Sequence, residues 1–181
     1  KVRFSVGADS LYLGGGTPTV LGGERLSKLI TTTKPLLKEG AEITVECNPA
    51  DNLEETFKML KDVGVNRLSI GVQSGVLEEL KILNRRHTPD DVVRTIETAR
   101  KIGIDNISLD LMLGIPKQTL ESVQESLDFL LSQSPNHISA YILKIEPNTP
   151  FGKAEYLPDL PNEDLVSEMY LFCSSYLRQH G

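Results

Sequence analysis

The chain alternates between short apolar segments and amphipathic helical segments along most of its 181 residues. Strand-like apolar segments begin near Leu11, Ile43, Leu68, Ile107 and Ile138, and helical periodicity fills the intervals between them. Strands that alternate with helices pair in parallel and are joined by right-handed crossovers. The alternation therefore predicts an α/β fold with an open parallel sheet and outer helices. A partial barrel and a doubly wound sheet both fit, whereas a closed eight-stranded barrel needs about 250 residues.

Capping residues and glycines mark the ends of the predicted helices. Thr88 is suited to cap a helix whose first residue is Pro89, because proline is favoured at that position. Gly40, Gly64 and Gly103 each precede a predicted strand. Because glycine adopts the left-handed conformation at little cost, we expect each of these three glycines to end a helix.

Composition narrows the functional classes. The net charge of −6 argues against a nucleic-acid-binding surface, and no apolar run approaches the roughly 20 residues needed to cross a bilayer. The two cysteines, Cys47 and Cys173, are too few for a disulfide scaffold or for an iron–sulfur cluster bound by this chain alone. Both are interpreted as core residues. We expect a cytoplasmic protein that reaches a membrane only through a partner.

Polar side chains mark the ends of the three central strand candidates. A period of two separates an aliphatic face from a small, polar face, and the polar face ends in Glu46, Gln73 and Asp110. Ligands of barrels and open α/β sheets bind at the carboxyl ends of strands. The pattern therefore predicts a polar-lined interior that is open to a ligand. The alternative is that some of these residues cap helices or bond loop backbone.

A glycine-rich segment, Gly14-Gly15-Gly16-Thr17-Pro18, follows the first strand. Consecutive glycines let the backbone approach a ligand closely and expose its amides, which suits a phosphate or a carboxylate. The segment is not a Walker A loop, because no Lys-Ser/Thr pair follows it at the required spacing. It is not the dinucleotide-binding fingerprint either, because Thr19 stands where the last glycine would be.

The segment Arg85-Arg86-His87 offers one weaker candidate. Arg85 is the basic residue best suited to contact an anion, since its guanidinium can bond a carboxylate or phosphate at two points. His87 is interpreted as a solvated loop residue.

Six segments, taken together, resemble a known family. They are LYLGGGTPT at 11–19, EITVECNP at 42–49, NRLSIGVQS at 66–74, DLMLGIPKQT at 110–119, HISAY at 137–141 and IEPNTPF at 145–151. In this order and spacing they resemble the coproporphyrinogen III oxidase-like and haem chaperone family of radical S-adenosylmethionine (SAM) proteins.

The resemblance implies a fold, cofactors and site residues. The fold would be a partial (βα)₆ barrel, with residues 1–181 forming an incomplete radical SAM core. The cofactors would be SAM and a [4Fe–4S] cluster, with haem as a further ligand. The residues at the family's SAM-binding positions are Gly15, Gly16, Thr17, Glu46, Gln73, Arg85, Asp110 and Lys144. At Lys144 the contact would be made by the backbone.

The segment from Ser74 to His87 is more similar to the haem chaperone branch than to the decarboxylating oxidases. The implied partners are a tetrapyrrole, either haem or coproporphyrinogen III, and haem-accepting respiratory proteins. Three alternatives stay open: an oxygen-independent coproporphyrinogen III dehydrogenase, a cluster-less module that binds SAM or a tetrapyrrole, and a phosphate-binding α/β enzyme. The last is disfavoured because acidic strand-end residues suit a sulfonium cation better than a phosphate.

The sequence departs from the family at one point. The cluster of the family is bound by a Cys-x₃-Cys-x₂-Cys motif near the N-terminus, and residues 1–10 contain no cysteine. We expect that the chain is part of a longer protein, with the N-terminal cluster-binding unit and the C-terminal domain missing from this sequence. A cluster-less relative is the alternative.

Overall fold

The computed structural model describes residues 7–49, 53–146, 151 and 159–181. Within these ranges the strands are β1 (Ala8–Leu13), β2 (Leu37–Cys47), β3 (Arg67–Gln73), β4 (Asn106–Leu113) and β5 (His137–Ile142). The helices are α1 (Gly23–Thr33), α2 (Glu54–Asp62), α3 (Leu77–Ile82), α4 (Pro89–Lys101), α5 (Leu120–Ser132) and α6 (Glu163–Gln179). Short 3₁₀ helices at Pro18–Leu21 and Lys34–Leu36 flank α1.

The strand order of the sheet decides between the two predicted architectures. The strands lie in the order β1-β2-β3-β4-β5, and β1 with β2 and β2 with β3 pair in parallel. A doubly wound sheet reverses its order at a switch point, whereas the strands of a barrel follow one another in sequence. The order is therefore that of a barrel-type sheet, with five strands in the described part of the chain.

The chain divides into two compact units. The described residues of the first unit extend to Gly71 and again from Asp90 to Ser108. Its core is formed by aliphatic strand residues and by one face of each helix; the fully buried side chains include Leu26, Ile30, Val45, Phe57, Leu60, Leu68 and Ile70. Burying each such side chain contributes about 1.5–3 kcal/mol. Phe57 and Leu60 form the buried face of α2.

The second unit comprises Val72–Pro89 and the described residues from Leu109 onward. Helices α5 and α6 pack on each other within it, and the buried residues of these helices include Val123, Leu127, Leu130, Met169 and Cys173. The Cys173 thiol is 2% exposed, which confirms that it is a packing residue. Burial also raises the pKa of this thiol above its ordinary value.

Local residues define the starts of three helices. Helix α4 begins at Pro89, as predicted. The Thr119 side chain accepts a hydrogen bond from the Ser122 amide, and Ser122 Oγ accepts one from the Thr119 amide, which forms a capping box at the start of α5. Asn162 Oδ1 accepts from the Leu165 amide and caps α6. Such caps contribute about 1 kcal/mol each. In the described ranges, no helix has the length and apolar character required to span a membrane.

The expectation that Gly40 ends a helix is wrong. Helix α1 ends at Thr33, and Gly40 lies inside β2 with a φ of +75°. It falls where the register against β1 shifts, since Ala8 pairs with Leu37 but Ser10 pairs with Glu42. A bulge and a helix C-terminus both use the left-handed conformation, so a glycine alone does not distinguish them. Gly64 and Gly103 do follow helix ends, with φ of +102° and +86°.

Candidate functional site

The glycine-rich segment forms an exposed loop in the first unit. Gly15 and Gly16 have φ of +88° and +84°, and no atom lies within 4 Å of where a Cβ would stand on either residue. Gly14 differs from them, because a Cβ there would stand 2.6 Å from Oε1 of Glu46. The loop therefore needs glycine at 15 and 16 for backbone conformation, and at 14 for the close approach of a carboxylate.

The carboxylate of Glu46 bonds this loop. Its Oε1 accepts a hydrogen bond from the Tyr12 hydroxyl at 2.9 Å, and its Oε2 accepts one from the Gly15 amide at 3.0 Å. The predicted site residues Gly15 and Glu46 are thus brought together. The expectation that the loop amides are free for an anion is wrong at Gly15, whose amide is already bonded to Glu46. A negative charge at this position repels a phosphate and attracts a cation.

Thr17 is fixed by a contact from the end of β2. Asn48 Nδ2 donates a hydrogen bond to Thr17 Oγ1 at 2.8 Å, and the Val20 amide donates to the Thr17 carbonyl at 3.0 Å. Tyr12 and Asn48, which the sequence did not single out, bond these candidate residues. Both lie inside the family-like segments, but each contact joins residues 31 or more positions apart.

An apolar cavity of about 700 Å³ adjoins the same loop. Gly15 and Thr17 line it together with apolar residues that include Leu13, Pro18 and Leu29. The residues that line it carry no charge, so the cavity suits an uncharged, apolar group. A charged ligand group is instead favoured beside the Glu46 carboxylate.

In the second unit, Gln73 is held at the end of β3 in an unusual conformation. Its side chain is 3% exposed, and its φ is +72°, which a residue other than glycine rarely adopts. The Tyr141 hydroxyl of β5 donates a hydrogen bond to Gln73 Oε1. This bond fixes which end of the carboxamide is the acceptor, so the Nε2 group is left to donate. Strain of this kind is enriched at functional sites.

Arg85 follows α3 and is half-buried. Asn84, in the left-handed conformation with φ of +53°, ends the helix, and the Arg85 amide bonds the Leu80 carbonyl at 2.9 Å.

The expectation that His87 is solvated is wrong, because its side chain is 6% exposed and Nε2 lies 3.0 Å from the Val72 carbonyl. This hydrogen bond satisfies the buried ring and fastens the segment that carries Arg85 to β3, next to Gln73.

Asp110 and Lys144 occupy different settings in this unit. Asp110 was expected at the end of its strand, but β4 continues to Leu113 because Leu111 and Leu113 are buried and extend it. Asp110 is partly exposed.

Lys144 follows β5, and its side chain is 85% exposed and pairs with Glu146 at 2.6 Å. The contact predicted for the backbone of Lys144 stays a prediction.

The polar face of the central strands is less open than the sequence suggested. Thr44, Ser69 and Ser108 are buried, whereas Glu46 and Asp110 are partly exposed. The polar face is therefore accessible at Glu46 and Asp110 and closed at Thr44, Ser69 and Ser108. The physical reason is that a hydroxyl with hydrogen-bond partners is buried at little cost; Thr44 Oγ1, for example, donates to Glu42 at 3.1 Å.

The residues present do not fit an iron–sulfur cluster. Both cysteines are buried, and no group of three or more His, Cys, Asp or Glu residues in the described ranges is arranged to hold a metal ion. Clusters of this kind are held by several thiolates.

The chain was compared with known proteins. A family model described as the radical SAM superfamily matches residues 1–130. The chain belongs to the radical SAM superfamily. The resemblance inferred from the six motifs is thereby confirmed, and so is a fold of the partial radical SAM barrel type.

Two relatives carry the name "Heme chaperone HemW". The one from Bacillus subtilis is 40% identical over 181 residues, which cover 95% of this chain and 47% of the relative. The one from Escherichia coli is 39% identical over 174 residues, which cover 93% of this chain and 45% of the relative. This radical SAM chain therefore spans about half the length of the curated relatives it matches.

Solved structures support the same fold. Coproporphyrinogen III oxidase (HemN) from Escherichia coli, described as a radical SAM enzyme, matches with a TM-score of 0.84 and 28% identity over 96% of this chain and 41% of that one. Methylornithine synthase (PylB) matches with a TM-score of 0.69 and 18% identity over 91% of this chain and 47% of that one. The second likeness concerns the fold alone. The SAM-binding roles of the eight candidate residues stay predictions.

Proposed function

We propose that this chain is the SAM-binding core of a cytoplasmic haem chaperone, which binds haem and passes it to respiratory proteins. Residues 1–181 would form an incomplete radical SAM core domain in that protein. When bound in such proteins, SAM supplies a 5′-deoxyadenosyl radical after reduction. The roles proposed for this chain's own residues are to bind and orient the SAM molecule.

The observation that carries the proposal is the Glu46 carboxylate bonded to the Gly15 amide. SAM carries two positive groups, the sulfonium and the ammonium of its methionine moiety. A partly exposed carboxylate held against a glycine loop attracts such groups, and the same carboxylate repels a phosphate. Gly15, Gly16, Thr17 and Glu46 would hold the methionine end from the first unit.

The second unit carries the remaining candidates: Gln73, Arg85, Asp110 and the backbone of Lys144. Gln73 Nε2 would donate a hydrogen bond to an acceptor on SAM, since Tyr141 already occupies Oε1. Arg85 suits the SAM carboxylate, because a guanidinium forms strong, charge-assisted hydrogen bonds with carboxylates. Asp110 would contribute a further acceptor.

Two relatives from one organism favour the haem chaperone proposal over the oxidase alternative. The Escherichia coli protein named "Heme chaperone HemW" is 39% identical to this chain, whereas Escherichia coli coproporphyrinogen III oxidase is 28% identical. The proposed delivery of haem to respiratory proteins rests on this higher identity to the haem chaperone. No described residue is assigned here as a haem ligand.

The first experiment is calorimetric titration of the purified chain with SAM and, in parallel, with S-adenosylhomocysteine. The two compounds differ by the methyl group that makes the sulfur of SAM cationic. We expect SAM to bind at least about tenfold more tightly, a difference of 1.4 kcal/mol. Equal affinity for both compounds, or preferential binding of inorganic phosphate, would contradict the role of the carboxylate.

A second experiment tests the tetrapyrrole. Titration with haemin is followed by the change in its Soret absorbance, with protoporphyrin IX as the metal-free control. We expect saturable binding of haemin and no decarboxylation of coproporphyrinogen III. Turnover of coproporphyrinogen III by the same preparation would replace the chaperone proposal with the oxidase alternative.

A further inference from the structure

A buried carboxylate in the second unit is not among the residues proposed to contact SAM. Glu79, on α3, is 5% exposed. Its Oε2 accepts hydrogen bonds from Ser74 Oγ at 2.6 Å and from Gln118 Nε2 at 3.1 Å. Its Oε1 is buried and has no hydrogen-bond partner in the described part of the chain. Two donors from distant positions therefore converge on a single oxygen atom.

The first donor belongs to the turn that follows β3. Ser74 Oγ donates its one proton to Glu79, so in the 3.2 Å contact between Ser74 and Ser126 the donor is Ser126 Oγ. Ser126 Oγ in turn accepts from the Gly75 amide at 3.0 Å, and Ser74 Oγ accepts from the Val76 amide at 2.9 Å. These hydrogen bonds form a chain that ends at the Glu79 carboxylate through Ser74 Oγ, and the chain fixes the backbone directly after Gln73.

The second donor belongs to the turn that follows β4. Gln118 Oε1 accepts from the Gly114 amide at 2.7 Å and from the Ile115 amide at 3.3 Å. These two bonds fix the orientation of the carboxamide, so Nε2 donates both to Glu79 and to the Met112 carbonyl at 3.2 Å. The same carboxylate oxygen therefore also fixes the backbone two residues after Asp110.

We propose that Glu79 is a positioning residue that holds the turns after β3 and β4 together and so sets the geometry of Gln73 and Asp110. The inference rests on the proposed SAM-binding role of those two residues. A buried carboxylate with one unbonded oxygen adds little to the free energy of unfolding, because removing the charge from water is costly. What it supplies is an acceptor that two separate donors share, and donors that share one buried acceptor are held in one relative geometry.

The test compares Glu79→Ala, Glu79→Gln and the control Glu78→Ala. Glu78 is the neighbouring carboxylate, 74% exposed and paired with Lys81. Affinity for SAM is measured by calorimetry at a temperature where far-ultraviolet circular dichroism shows each variant folded. We expect Glu79→Ala to weaken SAM binding by at least about tenfold, which corresponds to 1.4 kcal/mol. Glu79→Gln, which keeps an acceptor for both donors, restores most of the affinity, and Glu78→Ala leaves it unchanged.

Hydrogen exchange gives a readout that does not depend on SAM. In Glu79→Ala we expect faster exchange of the Gly75 and Val76 amides and of the Gly114 and Ile115 amides, in both turns at once. Should Glu79→Ala fail to fold, Ser74→Ala replaces it. That variant removes one donor beside β3, and faster exchange of the Gly114 amide beside β4 would show that the two turns are linked through Glu79.

Each outcome decides a different point. Unchanged SAM affinity and unchanged exchange in folded Glu79→Ala overturn the inference. A second combination also overturns the inference: Glu79→Ala binds SAM more weakly, Glu79→Gln does not restore the affinity, and neither turn exchanges faster. When the unmodified chain itself does not bind SAM, the proposed function fails, and the exchange of the two turns alone then decides whether Glu79 positions them.

Discussion

The Tyr12 hydroxyl on β1 donates a hydrogen bond to Oε1 of Glu46 on the neighbouring strand β2, at 2.9 Å. The Gly15 amide occupies the other carboxylate oxygen. With one donor on each oxygen, the plane of the carboxylate is fixed while its remaining lone pairs stay available. A rigid, partly exposed negative charge beside a glycine loop is the feature that makes this chain suited to a cationic ligand.

Replacement of Glu46 by glutamine is expected to weaken SAM binding by about tenfold or more. The variant removes the negative charge and leaves a side chain of the same size. Hydrogen bonds to charged groups contribute about 1.5–3 kcal/mol, so the loss is measurable by calorimetric titration. Glu39→Gln is the matched control, since Glu39 is an exposed glutamate on the same strand. Equal losses in both variants would contradict a specific role for Glu46.

Replacement of Gly14 by alanine is expected to act through Glu46. The added Cβ would stand 2.6 Å from Glu46 Oε1, so the carboxylate must move away from the loop. In a double-mutant cycle with Glu46→Gln, the two losses of SAM affinity should therefore not add. Gly15→Ala serves as the comparison, because it meets no atom within 4 Å and costs about 1–2 kcal/mol of backbone strain alone. Strict additivity of Gly14→Ala and Glu46→Gln would refute this coupling.

Replacement of Tyr141 by phenylalanine tests the orientation of Gln73. The variant deletes one hydroxyl, and the carboxamide is then free to turn, so we expect SAM affinity to fall severalfold. The free energy of unfolding should decrease by about 1 kcal/mol, the typical contribution of one hydrogen bond. Denaturant unfolding and calorimetry measure the two effects separately. Tyr170→Phe, at an exposed position on α6, is the control and should change neither quantity.

The two thiols are expected to be unreactive in the native chain. Cys47 and Cys173 are 3% and 2% exposed, and burial raises the pKa of the Cys173 thiol above its ordinary value. Since the thiolate is the reactive form, a raised pKa means that less of it is present at pH 8. Alkylation with iodoacetamide, followed by mass spectrometry, should label both residues quickly only in denaturant. Rapid labelling of either cysteine in the native chain at pH 8 would show that it is accessible.

Local signals in the sequence predicted the succession of elements well. Thr119 and Asn162 cap α5 and α6 by bonding amides a few positions away, and Pro89 begins α4. These helix starts are therefore marked without reference to the rest of the fold. The period of two in the central strands likewise identified the aliphatic face, whose residues are buried.

Signals that depend on context were misread. Gly40 has the left-handed conformation that a helix end would require, but the conformation serves a register shift in β2. His87 lies among charged residues in the sequence, yet its side chain is buried. The Val72 carbonyl lies within hydrogen-bond distance of its Nε2, so burial leaves that nitrogen with a partner. Glu79 stands next to an exposed glutamate on a short helix, and nothing in its neighbours along the chain indicates burial.

The sequence by itself determined the α/β alternation, the start of α4, the glycine loop and the membership of the radical SAM superfamily. These follow from periodicity, capping and motif order, which act over a few residues or survive as patterns along the chain. Only the tertiary structure decided that Gly15 and Tyr12 share the Glu46 carboxylate, that Gln73 is held by Tyr141, and that Ser74 and Gln118 meet on Glu79. Each of those contacts except Ser74 to Glu79 joins residues more than 30 positions apart, so their formation depends on how the strands are ordered and not on any local preference of the chain.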